Sequence, residues 1–170
     1  MLVFEILLFI IMVVVFVYAL KRIKKEKEMV RKLNNGFRDY YEVVSRWMIL
    51  KNCGRKAEEF FYHYNYNRIV IYGAGPLGEM LCQELKESSI NVVCAVDKEK
   101  KSFDFVSDIK IISVEYIEEQ GDIDAVIITP LMYKGEIMDI LCNKNLPQKT
   151  QFIMIDEFVN YYYHHEENDR

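Results

Sequence analysis

The stretch "RIVIYGAGPLGEML", residues 68–81, decides the fold. A short apolar run (68–72) meets a glycine-rich corner. The corner opens into residues 76–88, where Leu77, Met80, Leu81 and Leu85 recur at helical spacing. Gly73-Ala74-Gly75-Pro76-Leu77-Gly78 fits GxGxxG in the context that pattern requires, after a strand and at the start of a helix. Each glycine has a physical role there. Gly73 permits a tight turn, Gly75 lets a pyrophosphate approach bare backbone, and Gly78 lets the helix pack closely on the sheet. The helix N-terminus supplies partial positive charge and free N–H groups. Pro76 removes one donor at a position where proline suits the first helical turn, so the amides near Leu77 and Gly78 must serve.

Downstream, strands alternate with helical stretches. "INVVCAV" (90–96) is a buried strand and "IKII" (109–112) a weaker one, followed by a short helix that Ser113 can cap. "DAVIIT" (124–129) is a strong strand, "GEIMDILCNKN" (135–145) a helix, and "QFIMI" (151–155) a fifth strand. Apolar runs without alternation indicate strands buried on both faces. The expected fold is α/β: a Rossmann-like, doubly wound parallel sheet of about five strands in the order 3-2-1-4-5. Asp97 ends the second strand, placed to accept hydrogen bonds from a ribose diol. That acid disfavours a 2′-phosphate and so favours NAD over NADP, although Lys98 and Lys100-Lys101 blur the preference; a nucleotide sugar also suits the corner. The rival reading of Asp97 is a solvated strand-end carboxylate. Thr129-Pro130 ends the fourth strand beside the first, at the topological switch point, unless Thr129 only caps the next helix.

The chain opens differently. Residues 2–20 are apolar except for Glu5, and 19 residues at helical rise span roughly 28 Å, about a bilayer core. Residues 21–32 then carry seven Lys or Arg against two Glu. With no basic residue ahead of the apolar run, the positive-inside rule puts the N-terminus outside and the rest of the chain in the cytoplasm. Val17-Tyr18-Ala19 could pass as a signal-peptide cleavage site, but the basic cluster lies on the wrong side of the apolar run. A retained single-pass anchor in the plasma membrane is expected, its basic segment against anionic headgroups. Expected organisation is an anchor (1–20), a basic segment (21–36) broken by Asn34-Asn35-Gly36, an amphipathic helical linker (37–66), the nucleotide-binding domain (67–160) and a polar tail (161–170) whose end, "HHEENDR", reads as disordered. The linker face of Phe37, Tyr40, Tyr41, Val44, Trp47 and Met48 packs on the domain or on a second copy of the chain.

The chain carries 22 Lys or Arg and 26 Asp or Glu, net −4. Residues 33–170 hold 15 basic against 23 acidic residues, which argues against nucleic acid as a partner. Cys53, Cys82, Cys94 and Cys142 form no CxxC pair and read as reduced, buried thiols. With His63, His164 and His165 they make no metal set.

The span "RWMILKNCGRKAEEFFYHYNYNRIVIYGAGPLGEML" resembles small Rossmann-like domains of bacterial surface-polysaccharide and sugar-nucleotide proteins, of the nucleoside-diphosphate-sugar epimerase-like kind. The likeness is a Trp-bearing helix, a "GR…EFF" helix and "IYGAG.LGE.L", and it extends loosely through Asp97 and "DAVIITP", over residues 45–160. It implies NAD(P) or a nucleotide sugar as ligand, and a glycan-biosynthesis enzyme as partner. The chain departs from working epimerases and short-chain dehydrogenases, which pair a Tyr and a Lys as YxxxK. None of its 12 tyrosines does so. No catalytic residue is nominated. The reading is a binding module without complete chemistry. Its rivals are an oxidoreductase or epimerase completed by a partner, a regulatory ligand-sensing domain like those attached to potassium channels, and an interaction protein with a vestigial site. A methyltransferase, which would bring further strands, ranks last.

Overall fold

A computed structural model describes residues 2–98 and 109–168, with residues 2, 3 and 162–168 as backbone alone. Lys100-Lys101 lie outside the described residues. Contacts divide the chain into two compact units, Met1–Arg38 and Asp39–Arg170.

The first unit is helical. Helix α1, Leu2–Asn52, begins here and runs through Asn34-Asn35-Gly36 without the expected break. Glycine costs only about 1 kcal/mol in a helix interior, and asparagine less. The Lys, Glu, Met, Arg and Leu residues that precede the expected break are helix formers and outweigh that. From Phe4 to Leu20 the large apolar side chains are exposed all around the helix, with Tyr18 at 69% and Phe4 at 65%. By length and composition this helix can cross a membrane. Beyond it, Arg22 pairs with Glu26 one turn on, at 3.3 Å.

The second unit holds the sheet. Its strands are β1 (Arg68–Tyr72), β2 (Asn91–Val96), β3 (Ile111–Ile112), β4 (Ala125–Ile128) and β5 (Gln151–Met154). All neighbouring pairs are parallel, in the order β3-β2-β1-β4-β5. This is the order expected from right-handed crossovers. The β1–β2 register slips between Ile69 and Val70, so that Val70 faces Cys94 and Val93 is bulged out.

The period of two along β1 sorts its side chains into two cores. Ile69 and Ile71 pack with Leu77, Leu81 and Leu85 of α3 (Pro76–Leu85) and with Phe158 and Val159 of α5 (Ile155–Asn168). Val70 and Tyr72 pack with Ile117 of a 3₁₀ helix (Val114–Gln120) and with Ile137 and Leu141 of α4 (Lys134–Cys142). Helices on both faces explain the unbroken apolar runs.

The last turns of α1 and the short α2 (Ala57–His63) close the first core. The buried face of α1 is Val43, Trp47 and Leu50. Of the six residues expected to pack, Trp47 is buried and Val44 packs half-buried against the core, while Phe37, Tyr41 and Met48 stay 65%, 72% and 58% exposed. The reason is a polar tie. Glu84 of α3 accepts the Trp47 Nε1–H at 2.9 Å and the Ala57 N–H at 3.1 Å, with Lys51 at 3.5 Å. A charge-assisted acceptor for a buried indole fixes the rotation of the helix. Trp47 then packs edge-on against Phe158 at 5.2 Å.

Other expectations shift. The fifth strand ends at Met154, and Ile155 already begins α5, whose acidic first turn, Asp156 and Glu157, suits a helix N-terminus. α5 runs to Asn168, into the segment expected to be disordered. Ser113 makes no capping bond; its hydroxyl donates to the Glu115 carboxylate. Cys82 and Cys94 are buried as expected, but Cys53 and Cys142 are exposed.

Candidate functional site

The glycine corner lies where β1 leaves the sheet, between the ends of β2 and β4. Its three glycines differ in what surrounds them. Gly73 has φ +103°, a conformation that favours glycine, and a Cβ there would stand 2.4 Å from Thr129 Oγ1 and 2.8 Å from the Pro130 ring. A Cβ on Gly78 would stand 2.1 Å from the carbonyl oxygen of Gly73. Around Gly75 a Cβ would meet nothing within 4 Å. Two glycines are closed by packing, and the one expected to face a pyrophosphate faces open space.

Backbone hydrogen bonds hold the corner. The Gly73 N–H donates to Val96 O at 2.8 Å, and the Thr129 N–H donates to Tyr72 O at 2.9 Å. Thr129 is 4% exposed, and its hydroxyl lies 3.1 Å from both Tyr72 O and Gly73 O. It therefore braces the corner from beneath. It caps no helix, since the 3₁₀ turn at Leu131–Tyr133 is led by Pro130. Pro130 packs on Gly73 beside it, half-buried.

Gly75 is the N-cap of α3 and Pro76 its first residue, both exposed. The Glu79 N–H closes the first turn on Gly75 O at 2.9 Å. Leu77 and Gly78 are buried and offer only their amides, as first-turn donors with no intrahelical acceptor. Ala74 contributes differently. Its N–H donates to Asp97 Oδ2 at 2.8 Å. The acid expected to meet a ribose thus also fastens the corner to the end of β2.

Lys98 turns to the other side. Its ammonium meets Glu136 Oε1, in the first turn of α4, at 3.0 Å, with both side chains exposed. Glu136 was not a sequence candidate. The contact joins residues 38 apart on different elements, and no local pattern marks it.

Tyr72 and Lys98 bring a phenol and an ammonium to the same edge of the sheet, the residue types of the proton-transfer pair that the sequence lacks as YxxxK. The electrostatics are wrong for that role. Burial, first of all, pushes the Tyr72 phenol up; Lys98 lowers it, and Asp97, Glu136 and Glu115 raise it again. A phenol held above its ordinary value stays protonated and is a poor base. Burial likewise raises the Cys82 thiol to about 12 and the Cys94 thiol to about 11, which leaves neither as a nucleophile. Among the described residues no group of three or more His, Cys, Asp or Glu side chains is placed to hold a metal.

The sheet with its glycine corner falls within a recognised family. The model of the family described as C2185-like, N-terminal, matches residues 65–151, just over half of the 170 residues. The chain belongs to the C2185-like, N-terminal family. The match takes in β1 through the first residue of β5, and with them every candidate site residue. No curated protein matches the chain. Similar solved structures include RSP, a Rex-family repressor, at 16% identity, 82% coverage of this chain, 93% of that chain and a TM-score of 0.40. RSP in complex with β-NADH aligns at 17% identity, with the same two coverages and a TM-score of 0.40. RSP with β-NAD⁺ and operator DNA aligns at 16%, covering 82% and 92%, also with a TM-score of 0.40.

Proposed function

We propose that this C2185-like chain is a nucleotide-binding module, with NAD the favoured ligand, that holds or senses the nucleotide without transforming it. The observation that carries the reading is the contrast between the glycines. Gly73 and Gly78 are closed by neighbours, whereas Gly75 opens on free space at the start of α3. Bare backbone at a helix N-terminus receives phosphate oxygens. Asp97, beside it at the end of β2, supplies the acceptor for ribose hydroxyls and favours NAD over NADP. Among the described residues, the phenol at the corner, Tyr72, is held above its ordinary value and the neighbouring Lys98 meets Glu136, which suits binding better than proton transfer.

The test is equilibrium binding of NAD(H), NADP(H) and UDP-sugars to the full chain in detergent at concentrations up to millimolar. NAD binding that Asp97→Ala weakens supports the reading, and no binding of any of them ends it. Hydride transfer with a sugar nucleotide, in the presence of a partner protein, would favour the partner-completed enzyme instead. The glycan setting stays with the sequence resemblance alone, since no residue of the site is particular to a sugar.

The first unit adds a second element. An apolar helix exposed on every side, followed by seven basic residues, suits a membrane span with its cytoplasmic flank against anionic headgroups. Protease protection in sealed vesicles, with the sheet-bearing unit digestible only from the cytoplasmic side, tests this orientation. The acidic balance of residues 33–170 weighs against nucleic acid as a partner. A mobility-shift measurement with duplex DNA at low salt tests that expectation directly.

A further inference from the structure

Lys98 and Glu136 meet across the end of β1. Lys98 leaves β2 just after Asp97, and Glu136 stands in the first turn of α4, which follows β4. β2 and β4 are the two neighbours of β1. The 3.0 Å contact therefore crosses the end of β1 on the face that carries Tyr72, and the Tyr72 phenol feels both charges together with Asp97 and Glu115. Among the described residues around the Tyr72 phenol, the Lys98 ammonium stands with three carboxylates, Asp97, Glu115 and Glu136.

From this geometry we infer that Glu136 is a specificity-determining residue, which holds the Lys98 ammonium away from the ribose end of the site and so turns the site against a 2′-phosphate. The inference rests on the nucleotide-binding reading. A ribose 2′-phosphate needs a cation where a ribose diol needs an acceptor. Asp97 supplies the acceptor, with Oδ2 already aimed at the corner by Ala74. Lys98, next in the chain, is the nearest cation by sequence, and its ammonium meets the Glu136 carboxylate. At 75% and 56% exposure the pair contributes little to the fold, so its removal changes what the ligand meets and leaves the sheet intact.

The experiment compares NAD and NADP affinities of the full chain in detergent at low ionic strength, for the parent, Glu136→Gln, Lys98→Ala and the double variant. Circular dichroism checks each fold. The expected result is a rise of about two- to fivefold in the NADP-to-NAD affinity ratio in Glu136→Gln, the size of an exposed ion pair, and its disappearance in the double variant. The rise should shrink in roughly 1 M salt, where screening reaches about 3 Å. An unchanged ratio with NAD still bound would overturn the inference and leave the binding reading standing. So would a rise that survives Lys98→Ala, because the effect would then be one of net charge alone. A parent protein that binds neither nucleotide would overturn both.

Discussion

Asp97 Oδ2 accepts the N–H of Ala74 at 2.8 Å, so the acid at the end of β2 and the glycine corner after β1 form one fastened unit. The bond shapes the corner, and in the proposed site the same side chain presents its carboxylate to the ribose. In Asp97→Ala the Ala74 amide loses that acceptor. The expected cost is about 1–2 kcal/mol of stability, read from urea unfolding of the sheet-bearing unit, together with about a tenfold loss in NAD affinity. Loss of affinity with unchanged stability would mean that the corner does not depend on the bond.

The three glycines should separate under mutation. Gly73→Ala meets both a positive φ and Thr129 Oγ1, and Gly78→Ala meets the Gly73 carbonyl. Each is expected to destabilise by about 2–4 kcal/mol or to prevent folding. Gly75→Ala adds a methyl group in open space, with φ −83°. Its melting temperature should stay within about a degree or two of the parent, since surface changes are nearly neutral. Thermal melts of the three variants check the order.

Glu84 is expected to be the costliest single polar truncation in the sheet-bearing unit. Glu84→Ala strands the Trp47 indole N–H and the Ala57 amide and removes the partner of Lys51. A loss of about 2–4 kcal/mol should follow, with a shift in the emission of Trp47, the single tryptophan of the chain. A neutral result would mean that the helix is held by packing alone.

Asp124 gives stability a pH dependence. Burial pushes its carboxyl up, but the N–H groups of Arg68 and Asn67, at 2.9 and 3.0 Å, and the Lys149 ammonium outweigh that and hold it below its ordinary 3.8. A carboxylate depressed in the folded state contributes stability that is complete above the unfolded value and is lost as pH falls through the folded one. Asp124→Asn should therefore flatten the stability curve below about pH 5, with the difference from the parent largest at neutral pH. Denaturation curves at pH 7 and pH 3 suffice.

The thiols should divide by burial. Cys53 and Cys142 are exposed and should react with iodoacetamide in the folded protein. Cys82 and Cys94, raised to about 12 and 11, should stay unmodified until the sheet unfolds. Peptide mapping of the labelled protein distinguishes them.

Which of these features could be read from the sequence follows from how local their causes are. The GxGxxG corner, the apolar runs at 68–72, 90–96 and 124–129, and Asp97 at a strand end each sit within a few residues of their signal. The strand order followed from them by handedness. The packed face of α1 was legible in part: Trp47 and the partly buried Val44 pack on the core, but Val43 and Leu50 complete the face while Phe37, Tyr41 and Met48 stay exposed. Glu84, a charged residue on another helix, fixes that rotation. Glu136 was invisible for the same reason. Thr129 was found by position, but its work, bracing Gly73 from within, depends on a hydroxyl that turns inward.

The central claim is that Gly75 leaves open a nucleotide site that the fold does not need. Calorimetric titration of NAD into the full chain in detergent, for the parent and for Gly75→Val with its melting temperature recorded alongside, tests it most directly. The expected result is measurable NAD binding by the parent and at least a tenfold loss in a variant that melts normally, roughly 1.4 kcal/mol or more of binding free energy. Equal binding by both proteins, or none by a folded parent, would contradict it.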